Sequence, residues 1–479
     1  MNLKKRPVEY QLRMAGIHFE EVKQHLFPGD GKEAIAIALC GRFNNGRVTM
    51  LLVHKLLLLP YHLCKRESDF IEWPTEPVVP FLIEAMQSGM AILKIHSHPG
   101  GYDQFSELDD ISDVEFFTSV YGWTNSDLPH GSAVMLPDGR IFGRVILPDL
   151  SARSVDRILV AGHQIRMWSA ASVQSTRQSL RTIQLFGEGT YGLLRQLKVG
   201  LVGCSGTGSI VVEQLLRYQV GTLVPIDGDH VEHKNLNRIV NARVIHAENA
   251  ARKTDVVVET VRETGLGTIV IPFDKNLYES PEAIIELTTC DLVIGCMDTA
   301  EGRDLLNRLS TYYLVPYIDM GIMIDSDGKG GINKIEGSVH YVQPGMSSLF
   351  TRSVYTMEEV TAEALKRNNP QEYARLLEDG RKNGYKYVKD INVDRPAVIS
   401  LNMQVASTAV NELLNRIHPY KFMPPESTAK IAIDITDNFM APEGEHSFQC
   451  DQFLAKNVGR GDVTPLLHCV ELGEKVRVT

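Results

Sequence analysis

Apolar residues recur along this chain in two kinds of run, and their alternation predicts an α/β protein. Short continuous runs of strand length stand at Ala34-Ile-Ala-Ile-Ala-Leu39, Ala91-Ile-Leu-Lys-Ile95, Leu197-Lys-Val-Gly-Leu-Val202, Val224-Pro-Ile226 and Leu292-Val-Ile-Gly295. Helical spacing runs through Val211-Val-Glu-Gln-Leu-Leu216 and through a late stretch beginning Ala397-Val-Ile-Ser-Leu401. Asp138-Gly139, set between apolar runs, reads as a hairpin turn. Residues 151–184 show helical periodicity, with Arg153, Arg157, Arg166 and Arg177 among apolar positions, and predict a helical connector with a solvated basic face. Residues 358–389 are charged and helical, a lid or crossover segment. The expected organisation is a first domain over 1–150, the connector over 151–184, and a second domain over 185–479 whose crossover covers about 343–396. No internal repeat or low-complexity tract interrupts it.

Composition narrows the class. A chain of 479 residues that is 43% hydrophobic can build sizeable cores, and length alone allows about two to four domains. A net charge of −10 argues against nucleic acid as the main partner. Seven cysteines without regular spacing point to a reducing cytosol and not to a disulfide framework. The basic start, Met1-Asn-Leu-Lys-Lys-Arg-Pro7, has no apolar region behind it, and no stretch is long enough to span a bilayer. The expectation is a soluble, cytoplasmic protein with no membrane partner.

Chemistry first gathers at His96-Ser-His98-Pro-Gly-Gly-Tyr-Asp-Gln-Phe-Ser106-Glu-Leu-Asp109. Two imidazoles one residue apart at a strand end point the same way off the pleat and can grip one metal ion, with Asp109 as a third ligand. Three protein ligands leave a fourth position open, as catalytic zinc requires. This pattern resembles the JAMM motif of the JAB/MPN metalloproteases, which cut peptide or isopeptide bonds at ubiquitin-like tails. The resemblance implies an N-terminal α+β domain with zinc on His96, His98 and Asp109. It also implies that Ser106 hydrogen-bonds the water or the tetrahedral oxyanion, and that Glu33, in Lys32-Glu-Ala-Ile, is the general base. A structural metal, or a hydrogen-bonded histidine pair, is the plainer alternative.

A second constellation follows. Leu197-Lys-Val-Gly-Leu-Val-Gly203-Cys-Ser-Gly206-Thr-Gly208 is a strand breaking into a Gly-rich turn and a helix, where a small-residue backbone and a helix N-terminus suit a phosphate or ribose. By itself this fits dinucleotide enzymes as well, with Asp227 as the ribose acid. The next segment, Asp227-Gly-Asp229-His-Val-Glu-His-Lys-Asn235-Leu-Asn-Arg238, is far more restrictive. It resembles the ThiF/MoeB family, the ubiquitin-activating-enzyme-like adenylyltransferases, and Arg181 upstream of Gly187-Glu-Gly189, Lys253 and Asp298 agree in order. The resemblance implies a Rossmann-like doubly wound domain that joins a carboxylate to the α-phosphorus of ATP. It places Asp227 on the ribose, Asn235 beside the ribose or the phosphates, Arg238 and Lys253 on the phosphates, and Asp298 on magnesium. Arg181 is often supplied by the neighbouring subunit in this family, which implies a homodimer.

Departures from the family pattern matter as much. Where members commonly carry a first Cys-x-x-Cys pair for structural zinc, the chain reads Met346-Ser-Ser-Leu-Phe350. No cysteine lies between Cys296 and Cys450, so a thioester at the usual crossover position is unsupported. Cys450 and Cys469 remain as candidates, with a buried or incidental thiol the plainer reading of each.

The two resemblances together imply a bifunctional enzyme of the kind found in bacterial ubiquitin-like modification operons. Its cofactors would be zinc, ATP and magnesium, and its partners a ubiquitin-like protein and a conjugating enzyme. Two other readings stand beside it. One is an adenylyltransferase acting on a peptide, a sulfur carrier or a modified tRNA; the other is a partner-binding scaffold of degenerate domains.

Overall fold

The computed structural model describes residues 8–170, 173–383, 388–391 and 397–472. The basic N-terminal heptapeptide and parts of the expected crossover, 384–387 and 392–396, lie outside the described residues. The chain divides into two compact units. One gathers the residues up to 170 with Thr311–Leu314 and Lys456–His468; the other gathers 173–310, Val315–Ala455 and 469–472. No helix among the described residues is long and apolar enough to cross a membrane.

The first unit is built on a nine-stranded mixed sheet in the order β11-β10-β1-β3-β2-β6-β7-β8-β9. Its strands are β1 (Glu9–Ala15), β2 (Ile35–Asn44), β3 (Val48–Leu58), β6 (Ala91–Ser97), β7 (His130–Met135), β8 (Ile141–Ile146), β9 (Ala152–Ser154), β10 (Arg157–Ala161) and β11 (Ile165–Ser169). A separate ladder joins β4 (Lys65–Arg66) to β5 (Ile71–Glu72). Helices α1 (Gly16–Leu26), α2 (Val79–Ser88) and α3 (Glu107–Thr124) cover the large sheet.

Strand β6 is buried along its whole length because both faces are covered. Ala91, Leu93 and Ile95 pack with Phe19, Val22 and Leu26 of α1. Ile92 faces the other way, among Leu82 of α2 and Phe116, Phe117 and Val120 of α3. Since strand side chains alternate, Lys94 and His96 share the α3 side with Ile92. The turn at Asp138-Gly139 joins the antiparallel strands β7 and β8, and its Gly139 takes a positive φ of 87°.

Residues 151–184 are not a helical connector. They hold β9, β10 and β11, and helix begins only near Leu180. The apolar residues of Arg157-Ile-Leu-Val-Ala161 are consecutive and buried, because β10 lies between β1 and β11 and is covered on both faces. A doubly buried strand has no period-two signature, and the arginine spacing imitates a helical face. The first unit's sheet therefore runs past residue 150.

The second unit carries an eight-stranded sheet in the order β14-β13-β12-β15-β16-β17-β18-β19. The strands are β12 (Lys198–Val202), β13 (Thr222–Ile226), β14 (Ile269–Val270), β15 (Leu292–Gly295), β16 (Tyr317–Ser326), β17 (Ile332–Val342), β18 (Lys430–Asp434) and β19 (Phe439–Glu443). From β14 to β16 every neighbouring pair is parallel; from β16 to β19 every pair is antiparallel. Helices accompany the parallel part as α4 (Leu180–Gln196), α5 (Gly206–Arg217), α6 (Val244–Glu248), α7 (Lys253–Thr264), α8 (Pro281–Thr288) and α9 (Ala300–Tyr313). Then follow α10 (Met357–Asn368), α11 (Pro370–Asn383), α12 (Ile399–Ile417) and α13 (Gln452–Ala455). Strand order reverses between β12 and β15, and a doubly wound sheet opens a ligand crevice at the carboxyl ends on either side of such a switch.

Candidate functional sites

The crevice at that switch is a cavity of about 1020 Å³. Gly203, Gly206, Asp227, Asp229, Arg238, Lys253 and Asp298 all line it. Backbone sterics require a glycine at Gly203, whereas at Gly206 a Cβ would crowd only side chains. A Cβ on Gly203 would stand 2.7 Å from the Cys296 carbonyl oxygen, and its φ of 94° belongs to the left-handed region. A Cβ on Gly206 would meet the Asn402 amide at 2.2 Å. Gly208 does not line the cavity; it lets α5 close on the turn, since its Cβ would fall 1.9 Å from the Gly203 carbonyl oxygen.

Asp227 ends β13 with its carboxylate fixed by two backbone donors, the N–H of Cys204 at 2.7 Å and that of Asp229 at 2.9 Å. Burial raises its pKa, and Lys253, 3.7 Å away, opposes that. The Lys253 ammonium is buried and donates to Asp229 at 2.7 Å. Arg238 donates to the Lys234 carbonyl and the Asn237 side chain, and pairs with no acid among the described residues. Asp298 has no hydrogen bond or ion pair among the described residues, and as an open carboxylate lining the cavity it fits a magnesium ligand.

Two motif residues stand off the cavity, and for Arg181 this agrees with its expected supply to a neighbouring subunit. Asn235 does not line the cavity; its Oδ1 accepts the Glu232 N–H at 3.0 Å and its carbonyl accepts the N–H of Arg238, so it shapes the turn that presents Arg238. Arg181 lies exposed at the start of α4, donating to Gln184 at 2.9 Å, and does not line the cavity of its own chain.

In the first unit, β6 delivers His96 and His98 to the start of α3. Ser106 caps that helix and Asp109 completes a capping box, accepting the Ser106 N–H at 2.7 Å and its hydroxyl at 2.8 Å. Asp109 also meets His96 Nε2 at 2.8 Å and His98 Nε2 at 3.3 Å, while the two Nε2 atoms are 3.1 Å apart. Although burial pushes the Asp109 carboxyl upward, the two imidazoles hold it well below the usual carboxylate range.

The donor set fits zinc. His98 Nδ1 lies 2.8 Å from the Tyr102 carbonyl, which only accepts, so the ring proton sits there and the Nε2 lone pair faces His96 and Asp109. Candidate ligand atoms of His96, His98 and Asp109 all fall within 4.8 Å of one another. The Ser106 hydroxyl proton is committed to Asp109, so the expected oxyanion contact needs that bond to be exchanged.

Glu33 precedes β2 by two residues. The antiparallel register pairs Ile35 with His96 and bonds the Ser97 N–H to the Ala34 carbonyl, so its continuation sets Glu33 opposite His98. The Glu33 side chain is 6% exposed, and burial pushes its carboxyl up to about 7 against the influence of His98.

Beneath the histidines, Lys94 forms a buried ion pair with Asp113, one helical turn after Asp109. Arg144 at 2.7 Å and the Ser132 hydroxyl at 3.0 Å complete the set of Asp113 partners. Asp113→Ala would leave the Lys94 ammonium buried without a counter-charge, and a loss of about 3–5 kcal/mol is expected in urea unfolding. A variant as stable as the parent would show that the network holds no tension between α3 and β6.

Comparison with known proteins bears on the second unit. The model described as "ThiF family" matches residues 177–446. The chain belongs to the ThiF family. Similar curated proteins include "Ubiquitin-like modifier-activating enzyme 5" of Aedes aegypti, 28% identical over 43% of this chain and 53% of that protein. The protein of the same name in Caenorhabditis elegans is 29% identical over 39% of this chain and 45% of that one. The chain thus spans about half the length of the curated relatives it matches. Among solved structures, Escherichia coli MccB with MccA-N7isoASN aligns at 16% identity and a TM-score of 0.43, over 57% of this chain and 73% of that one. PaaA aligns at 20% identity and a TM-score of 0.41, over 57% and 85%.

In this ThiF-family chain the cavity has further walls that sequence reasoning missed. Asn402 comes from α12, and Arg303 from α9 shortly after Asp298. Only the polar run after Asp298 hinted at Arg303, and nothing local marks Asn402. The charged segment also touches the cavity rim. Glu363 of α10 accepts the Glu301 N–H at 2.7 Å, and Arg367 pairs with the cavity-lining Glu301 at 2.5 Å. Of the two late thiols, Cys469 is pushed up to about 11 by burial, while Cys450 is exposed and its pKa is raised by partial desolvation and by Asp451.

Proposed function

We propose that the protein adenylates the C-terminal carboxylate of a ubiquitin-like protein in the second unit and cleaves at such a tail in the first. The carrying observation is the cavity at the sheet's switch point, where Asp227, Arg238, Lys253 and Asp298 converge in a ThiF-family chain. Asp227 binds the ribose, Arg238 and Lys253 neutralise the phosphates, and Asp298 holds magnesium. A carboxylate oxygen attacks the α-phosphorus, the bond to the bridging oxygen breaks, and pyrophosphate leaves. The names of the curated relatives support a ubiquitin-like substrate.

For the first unit, His96, His98 and Asp109 are the residues that would hold zinc. Bound zinc polarises a carbonyl and lowers the pKa of a bound water to roughly 7. Glu33 takes a proton from the water whose oxygen bonds the scissile carbonyl carbon and returns it to the amine that leaves as the C–N bond breaks, while Ser106 positions Asp109 and, once freed, donates toward the developing oxyanion.

ATP–pyrophosphate exchange with the ubiquitin-like proteins encoded near the gene tests the adenylation. Exchange that depends on one of them supports it, and exchange with none while ATP binds overturns it. The missing crossover cysteine favours a second reading, in which the adenylate passes directly to an amine or to another protein's thiol. On that reading ATP and modifier give no reducible thioester on this chain, and a reducible band lost in Cys450→Ala or Cys469→Ala would refute it.

Arg181 points to assembly. If it completes the cavity of a second copy, Arg181→Ala and Asp298→Ala chains, each inactive, should regain part of the exchange activity on mixing, because mixed dimers hold one intact site. No recovery, with subunit exchange demonstrated, would place Arg181 in its own chain's chemistry.

A further inference from the structure

Glu301 brings a carboxylate into the wall of the nucleotide crevice from the first turn of α9, shortly after Asp298. It is 8% exposed, and burial raises its pKa. No cation that lines the crevice pairs with it among the described residues. Its counter-charge comes instead from α10, which contributes no residue to the lining. Arg367 donates from Nη2 to one Glu301 oxygen at 2.5 Å and from Nε to the other at 3.3 Å, a fork closed on a single carboxylate.

The guanidinium is held on its other sides as well. It lies 4.6 Å from the centre of the Tyr278 ring, whose hydroxyl donates to the Glu301 carbonyl at 2.9 Å. Nη1 donates to the Asn368 side chain at 3.0 Å, and Nη2 is shared with the Glu471 carboxylate. Helix α10 grips the same turn a second time, since Glu363 accepts the Glu301 N–H at 2.7 Å. With its nitrogens committed in this way, Arg367 acts on the crevice through Glu301. The lining already carries Asp227, Asp229 and Asp298, so a triphosphate entering it would meet Glu301 as one more negative charge if Arg367 were absent. Between partly buried charges such repulsion is far less screened than in water.

We propose that Arg367 is a positioning residue for nucleotide binding: by cancelling the charge of Glu301 it makes the crevice wall acceptable to a polyanion, and it does so only while α10 is docked. This rests on the adenylation reading and gives α10 a part in it. The charge balance of the crevice is then set by a helix that touches no ligand. Lifting α10 uncovers a carboxylate in the same wall as Asp298 and weakens the hold on ATP. By reciprocity, bound ATP holds α10 down.

The test measures the Kd for ATP with magnesium directly on the full chain, with thermal unfolding as the check of folding. Arg367→Met removes the charge and keeps an apolar side chain against Tyr278, and it should weaken ATP binding by about tenfold or more. Glu301→Gln/Arg367→Met should recover the affinity to within about threefold of the parent, because no bare carboxylate remains. A residue that merely fastened α10 would show no such recovery, since the double variant has no ion pair to fasten it. Glu301→Gln alone leaves Arg367 paired with Glu471 and should bind ATP more tightly than the parent, and it decides the matter should Arg367→Met fail to fold. Parent-level affinity in Arg367→Met, no recovery in the double variant, or binding no tighter than the parent's in Glu301→Gln overturns the assignment and leaves adenylation standing. A folded parent that binds no ATP overturns the adenylation reading itself, and the assignment with it.

Discussion

Asp298→Ala is expected to lower ATP–pyrophosphate exchange by about a hundredfold to a thousandfold, the range seen when one electrostatic contact to a transferring group is removed. Asp298 follows β15 at the switch point, open to the cavity and without a protein partner among the described residues. Its removal therefore costs little stability, since no ion pair is broken. Lys253→Ala should lower exchange to a similar degree but also loosen Asp229, to which it is bonded. Tail cleavage should persist in Asp298→Ala, because none of the residues assigned to cleavage lines this cavity. Loss of both activities from a folded Asp298→Ala protein would mean that the two chemistries are coupled.

Residues that act through local backbone geometry were the legible part of the site. The turn from Gly203 to Gly208 and the segment from Asp227 to Arg238 are each continuous in sequence, so spacing alone fixes which side chains and amides face one way. The structure brings these residues to one cavity because Asp227 and Asp298 follow the ends of β13 and β15, while the turn after Asn235 and the start of α7 add Arg238 and Lys253. Likewise, His96 and His98 share a strand face, and Asp109 sits on the first turn of the following helix.

What was illegible depends on distant partners. Arg303 is held at the cavity wall by Asp319 on β16, and no periodicity announces that pairing. Asn235 belongs to the most specific motif in the chain, yet its amide is used by the turn itself. The misread connector has a different cause. Strand β10 is apolar on consecutive positions because neighbours cover both its faces, and burial of that kind erases the alternation by which a strand is recognised.

Glu33→Gln is expected to lower tail cleavage by about a hundredfold to ten-thousandfold, the usual contribution of a positioned general base. The substitution is nearly isosteric and leaves the backbone bonds of residue 33, to the Glu67 carbonyl and from Arg66, in place. What it removes is the ability to accept a proton opposite His98, where the β2–β6 register sets this side chain. Zinc should therefore remain at one ion per chain in Glu33→Gln, while His96→Ala/His98→Ala should lose it, both read by elemental analysis. The pair of variants separates proton transfer from metal binding: the first keeps the ion and loses the rate, the second loses both. Adenylation should survive in each, because the nucleotide cavity contains neither histidine nor Glu33. Cleavage at parent rate by Glu33→Gln would remove Glu33 from the mechanism, and zinc undiminished in the double variant would place the metal elsewhere.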